Sequence, residues 1–185
     1  MQNTDKILLL SCCAPCSCAV IRKLKDDKVN FAVLFYNPNI HPEEEYEKRR
    51  DEQKNLCRKW DIEFIELEYN PADWLKMAEP YKDEPERGKR CSLCFEYRLK
   101  RAMEYAKENG FSRVASVLGV SRWKNLAQVN QAAANASKQT DVPYVEIEGR
   151  KHGMQEARAK LIKELGLYNQ TYCGCIFSKQ RNFLK

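Results

Sequence analysis

The chain has 185 residues, 43% hydrophobic and 31% charged, with a mean hydropathy of −0.68. That is long enough for one domain with a full core and too apolar for a disordered chain, and no stretch of about eighteen apolar residues offers a membrane helix. The 32 basic and 26 acidic residues leave a net charge of +6, compatible with a nucleic-acid partner and equally with a mixed solvated surface.

The apolar run of the N-terminal "MQNTDKILLL" is too short for a signal-peptide core, so a cytoplasmic protein is expected, with no membrane partner. Residues 6–10 (KILLL) read as a buried strand and 14–25 (APCSCAVIRKLK) as a helix with Pro15 in its first turn. A second strand over 30–36 runs into the turn-rich "NPNIHP", followed by a charged helix from Glu43 to about Trp60. A third strand is expected over 62–68. The connection 69–90 is partly helical around 71–78. A helix capped by Ser92 and closed by Gly110 leads to a strand over 113–119 and a helix over about 122–137. A short extended run (143–148), a helix (154–166) and a tail complete the chain.

This alternation predicts one α/β domain over residues 1–185, with a mainly parallel sheet whose ligands sit beyond the strands' carboxyl ends. The loop after strand one occupies the place where nucleotide-binding folds carry a glycine-rich cradle. Here it has no glycine and three cysteines. It presents thiols rather than amides.

Nine cysteines is a high and odd number, so complete pairing within one chain is impossible; in a reducing compartment such clusters serve metals or redox chemistry. Three groups stand out: Cys12, Cys13 and Cys16; Cys91 and Cys94; Cys173 and Cys175. Each falls at a turn or helix start, where the dipole and free N–H groups favour the thiolate. The glycine in Cys173-Gly174-Cys175 permits a tight backbone. Four or more thiolates suit zinc or an iron–sulfur cluster. Cys18 and Cys57 read as small packing residues.

Tyr36, Asn37, Asn39 and His41, just past strand two, are candidates for substrate recognition, with His41 a proton donor, or else form a structural turn. Arg122, Trp123 and Lys124 form a basic–aromatic–basic triplet able to hold a phosphate and stack on a base. Arg98 and Arg101 could extend that basic surface. Asp73 and Glu79 read as solvated loop residues, and "EEEYEKRR" reads as an exposed helix with i,i+4 ion pairs.

The blocks "CCAPCS", "FYNPNIHPEEEYEKR", "EPERGKRCSLCFEYRL" and "LYNQTYCGCIFS" resemble, in order over residues 7–178, the QueH family of epoxyqueuosine reductases. The resemblance implies a Rossmann-like three-layer fold, similar in architecture to adenine nucleotide α-hydrolases, with a cysteine-rich site at the carboxyl end of the sheet. It implies cobalamin-independent reduction of epoxyqueuosine to queuosine at the wobble position of tRNA, with a 4Fe-4S cluster, a further mononuclear iron and an unidentified electron donor. By position, Cys12, Cys13, Cys91 and Cys94 would be cluster ligands. Cys173 and Cys175, with Cys16, would hold the second metal or form a redox pair, and Cys16 is also a candidate catalytic thiol. Two other readings remain open: a zinc-stabilised RNA-binding module, and a thiol–disulfide oxidoreductase built on Cys13-x-x-Cys16.

Overall fold

The computed structural model describes residues 5–178; the ends of the expected domain, 1–4 and 179–185, lie outside the described residues. Five parallel strands, β1 (Ile7–Ser11), β2 (Phe31–Phe35), β3 (Phe64–Glu66), β4 (Arg113–Ser116) and β5 (Tyr144–Val145), form one sheet in the order β3-β2-β1-β4-β5. The helices are α1 (Ala14–Asp26), α2 (Glu43–Lys59), α3 (Pro71–Ala78), α4 (Lys89–Glu108), α5 (Leu126–Thr140) and α6 (Met154–Leu165), with a 3-10 turn over Glu79–Tyr81.

β1 and β2 are almost unbroken apolar runs because both faces of the sheet are covered. Leu8 and Leu10 pack with Leu99, Met103, Val129 and Ala133 of α4 and α5. Leu9 points the other way, into Val20, Ile21, Leu56 and Met154 of α1, α2 and α6. Three layers result. Parallel pairing requires each crossover to return over a face, so β1, flanked by β2 and β4, lies where the strand order reverses. The loops after β1 and β4 therefore open into one crevice.

Local chemistry explains the ends of the helices. α2 carries Glu43, Glu44 and Glu45 in its first turn and Arg58 and Lys59 in its last, each opposing the dipole charge at that end. α6 closes on Gly166 in the left-handed conformation. Two starts differ from expectation. α4 begins at Lys89 with Gly88 as its cap, so Ser92 lies inside the helix and its hydroxyl accepts from Gln128 Nε2 at 2.6 Å. α5 begins at Leu126, capped by the Asn125 side chain (3.3 Å to Gln128 N), because side chains elsewhere hold the carbonyls of residues 121–124. The strands are also shorter: of the extended runs 62–68 and 113–119, only Phe64–Glu66 and Arg113–Ser116 join the sheet.

The tail returns across the carboxyl edge of the sheet. His41 N donates to Gly174 O at 2.8 Å, and Arg49 donates to the carbonyls of Tyr172 and Cys173 at 3.1 and 3.2 Å. Gly174 has φ +103, and a Cβ there would sit 2.7 Å from Ile40 Cγ1. Gly174→Ala should therefore cost about 1–3 kcal/mol in denaturant unfolding, from left-handed strain and that collision. An unchanged midpoint would show that the tail does not seat on Ile40.

Candidate metal centre

β1 ends at Ser11, and the next two residues are cysteines. Cys13 caps α1 with extended backbone (φ −177, ψ 158), and Cys16 lies in the first turn, so one helix end brings their sulfurs together. The sulfurs of Cys12, Cys13 and Cys16 all lie within 4.8 Å of one another, with Cys12 and Cys13 at 3.7 Å. Cys13 and Cys16 are buried. Gln170 of the tail donates from Nε2 to Cys13 Sγ at 2.7 Å. Behind the triad, Ser11 and Ser17 both donate to Gln53 Oε1, at 2.7 and 2.8 Å, fixing β1, α1 and α2 against one another.

The three thiols share one negative charge. Hydrogen bonds from Cys13 and Cys16 hold Cys12 well below the ordinary thiol range, and the nearby Arg98 and Arg49 add to this. Burial, then hydrogen bonding to Cys12, pushes Cys13 well up; hydrogen bonding to Cys12 chiefly raises Cys16 to about 12. Such a set exchanges its remaining protons for a thiophilic metal.

A second group comprises Cys91, Cys94, Cys173 and Cys175. Cys91 is in the first turn of α4, and Cys94 packs with Cys173, Cys175 and Trp74. Three of these sulfurs accept an N–H: Cys91 from Arg87 N (3.3 Å), Cys94 from Trp74 Nε1 (3.3 Å) and Cys173 from Cys175 N (3.5 Å). At Cys94 burial outweighs the Trp74 donor and the nearby Arg98 and raises the thiol. A hydrogen bond from Cys175 and the charge of Lys124 hold Cys173 well below its ordinary range, and the same bond drives Cys175 upward. Burial opposes the charge on Lys124, but Cys173, Cys91 and Cys94 outweigh it and raise the ammonium pKa.

The resemblance implied Cys12, Cys13, Cys91 and Cys94 as cluster ligands. Cys12 and Cys13 are joined by Cys16, while Cys91 and Cys94 keep company with Cys173. Cys16 is less than one helical turn from Cys13, and Cys12 and Cys91 both pack against the core that α4 and α5 form on one face of the sheet. Lys124, grouped in sequence with a phosphate-binding triplet, turns inward to the thiols, while Arg122 and Trp123 stay exposed.

Other candidates are committed elsewhere. Tyr36 and Asn37 are buried; Asn37 donates to Ser11 O at 3.0 Å and accepts from Arg98 Nη2. Arg98 is thus an internal charge beside Cys12, not part of a basic surface, and Arg101 pairs with Glu68 at 3.7 Å. Asn39 is buried with Oδ1 unpartnered. His41 Nδ1 lies 3.0 Å from Asn39 O, its Nε2 has no partner among the described residues, and burial lowers its pKa. A neutral imidazole that gives its Nδ1 proton to a carbonyl accepts protons rather than supplying them. Asp73 and Glu79 are exposed. Cys18 and Cys57 are buried, and burial raises both thiols to about 11.

Sequence reading missed Gln170, Gln53 and Arg49. Arg49 lies in the run read as an exposed helix, and its i,i+4 pair with Glu45 exists at 2.6 Å, yet its side chain is only 1% exposed. One signal was available: on a helix, Tyr46, Arg49, Gln53, Leu56 and Cys57 fall on a single face, and this is the face α2 buries.

The profile of the family described as Epoxyqueuosine reductase QueH matches residues 7–181. Epoxyqueuosine reductase QueH of Acinetobacter baylyi is 42% identical over 178 residues, covering 96% of this chain and 82% of that one. The protein of the same name from Histophilus somni is 43% identical over 175 residues, 94% and 72% of the two chains. Among solved structures, the U34-tRNA thiolase NcsA of Methanococcus maripaludis, with its 4Fe-4S cluster, aligns over 96% of this chain with a TM-score of 0.59 at 15% identity. This chain spans 62% of that protein, less than two thirds. A protein of Methanocaldococcus jannaschii described as a subunit of tRNA methyltransferase aligns over 88% of both chains with a TM-score of 0.56 at 11% identity. At such identities the likeness is one of fold, a doubly wound α/β sheet. A sequence match that runs from β1 through the cysteine-bearing tail, at up to 43% identity, makes this chain a member of the epoxyqueuosine reductase QueH family.

Proposed function

We propose that this chain reduces epoxyqueuosine to queuosine at the wobble position of tRNA, in the cytoplasm and without cobalamin, with an iron–sulfur cluster held by Cys12, Cys13 and Cys16. The observation that carries this reading is the convergence of three sulfurs, those of half-buried Cys12 and buried Cys13 and Cys16, within 4.8 Å at the carboxyl end of the central strand. The donor set fits a cluster: it is all sulfur, one member already favours the thiolate, Gln170 donates an N–H to Cys13, and Arg49 and Arg98 offset the charge. The nine cysteines are unpaired in this structure. Cys173 and Cys175, packed with Cys94, are assigned to the additional mononuclear iron or to a redox pair. When bound, these groups would supply single electrons and a Lewis acid.

Removing the epoxide oxygen as water consumes two electrons and two protons, and an electron donor outside this chain would supply the electrons. This chain's residues manage charge. Arg98, anchored by Asn37 and the Tyr36 carbonyl, holds a fixed positive charge beside Cys12. Lys124 places its ammonium charge next to the second thiol group. No helix among the described residues is long and apolar enough to cross a membrane.

Protein purified without oxygen should carry about four sulfides and four to five irons per chain. Cys12→Ser, Cys13→Ser and Cys16→Ser should each lose the sulfide, and with it turnover of epoxyqueuosine tRNA under dithionite, whereas Cys91→Ser should keep the sulfide. Zinc without sulfide, persisting after anaerobic reconstitution, would sink this reading in favour of a zinc-stabilised RNA-binding module. Lys124→Met, which removes the charge beside the second thiol group, should lower kcat by about tenfold or more with sulfide content intact. His41→Gln should leave kcat within the same order of magnitude; the reverse pattern would make His41 the proton donor.

A further inference from the structure

The loop after β4 is fastened more heavily than its connecting role requires. Arg150 donates from Nε to Gly119 O at 2.7 Å and from Nη2 to Ser121 O and Lys124 O at 2.5 and 2.7 Å. From the other side, Arg87 donates from Nε to Trp123 O at 3.0 Å and from Nη2 to Arg122 O at 3.4 Å. Two guanidinium groups thus hold four consecutive carbonyls, those of residues 121–124. Gln128 Nε2 secures Arg87 in turn, donating to Arg87 O and Gly88 O at 2.9 and 3.0 Å.

This rigid loop holds Trp123 out into solvent. Trp123 is 79% exposed and is the one large hydrophobic side chain exposed among the described residues, whereas Trp60 and Trp74 are buried. A single exposed apolar side chain is ordinary by itself. Its surroundings are not. Arg87, Arg122 and Arg150 crowd together: burial first, then the other two charges, lowers the Arg150 pKa. None of the three pairs with a carboxylate within 4.0 Å among the described residues. Such a cluster is relieved by an incoming anion. The place is also specific. Arg87 gives its amide N–H to Cys91 Sγ while its side chain holds Trp123, and Lys124, next in the chain, turns its ammonium toward the thiols. The aromatic face and the second thiol group share a rim.

We infer that Trp123 is a stacking platform for an unpaired nucleobase of the RNA loop next to the nucleotide being reduced, with Arg122 and Arg87 meeting the flanking phosphate. The inference rests on the tRNA reading above and names the contact that presents the substrate to the thiols. A protein partner fits less well, because an interface anchor sits among packed apolar neighbours, whereas Trp123 is flanked in sequence by Arg122 and Lys124. A base stacked on an indole face, with its backbone phosphate held by guanidinium groups, is how single-stranded nucleic acid is gripped without sequence reading. Duplex RNA offers no free base face.

The experiment is a titration of the metal-loaded full chain with an unmodified stem-loop RNA, followed by tryptophan emission and by anisotropy of labelled RNA, with fully paired duplex as control. Stem-loop RNA should quench the accessible emission, and duplex should not. Trp123→Ala, which removes no buried contact, should keep its thermal midpoint and sulfide content while weakening stem-loop binding and raising KM for epoxyqueuosine tRNA by roughly tenfold or more. Trp123→Phe should recover most of that loss. Equal affinity of Trp123→Ala and wild type, with turnover present, would overturn the platform and leave the reductase reading standing. Failure of the wild type to bind stem-loop RNA or to turn over epoxyqueuosine tRNA would overturn both.

Discussion

The structure depends on one electrostatic constraint: seven sulfurs sit at the carboxyl edge of a sheet buried on both faces, and thiolates in such surroundings must be matched by positive charge and N–H donors. The molecule supplies both from within. Arg49 and Arg98 lie beside the first group of thiols and Lys124 beside the second. Gln170, Trp74 and the backbone of Arg87 and Cys175 each give an N–H to sulfur. Buried charge is costly unless compensated, so these partners are as necessary to the site as the cysteines.

The same arginines also assemble the fold. Arg49 reaches from α2 to the tail carbonyls, and Arg90 gathers the carbonyls of Tyr81, Lys82 and Glu84 through Nη1 at 2.7–3.0 Å. Arg98 bonds to Tyr36 O, and Arg150 ties the loop after β4. Long irregular connections leave many backbone carbonyls without a ladder partner, and a guanidinium satisfies several at once. Much of the basic excess in the composition is therefore internal. The net charge of +6 overstates the cationic surface available to RNA, and the arginines around Trp123 matter because they are local rather than numerous.

The parts of the fold that were legible were those governed by local rules. The segment 71–78 reads as a helix from its proline start and apolar spacing, and α3 spans those residues. Helix starts at 89 and 126 were less legible because the competing caps, Gly88 and Asn125, are chosen by what the neighbouring loops already bond. Arg49 is marked for burial only by the face it shares with Tyr46, Leu56 and Cys57, and Arg98 carries no clear mark: a charged residue on an amphipathic helix looks solvated until the element facing it is known.

The sequence by itself determined the alternation of strands and helices, the thiol-bearing loop at the end of the first strand, and a family resemblance borne out by the matched relatives, because periodicity, turn chemistry and motif spacing are properties of short stretches of chain. Only the tertiary structure decided that Cys16 joins Cys12 and Cys13 within 4.8 Å, that Lys124 faces sulfur while its neighbour Trp123 faces solvent, and that Gln170 reaches back to Cys13. Those outcomes depend on which face of the sheet each helix covers and on how a tail residue 157 positions away returns to the first loop. Distances of that kind are set by packing, not by spacing along the chain.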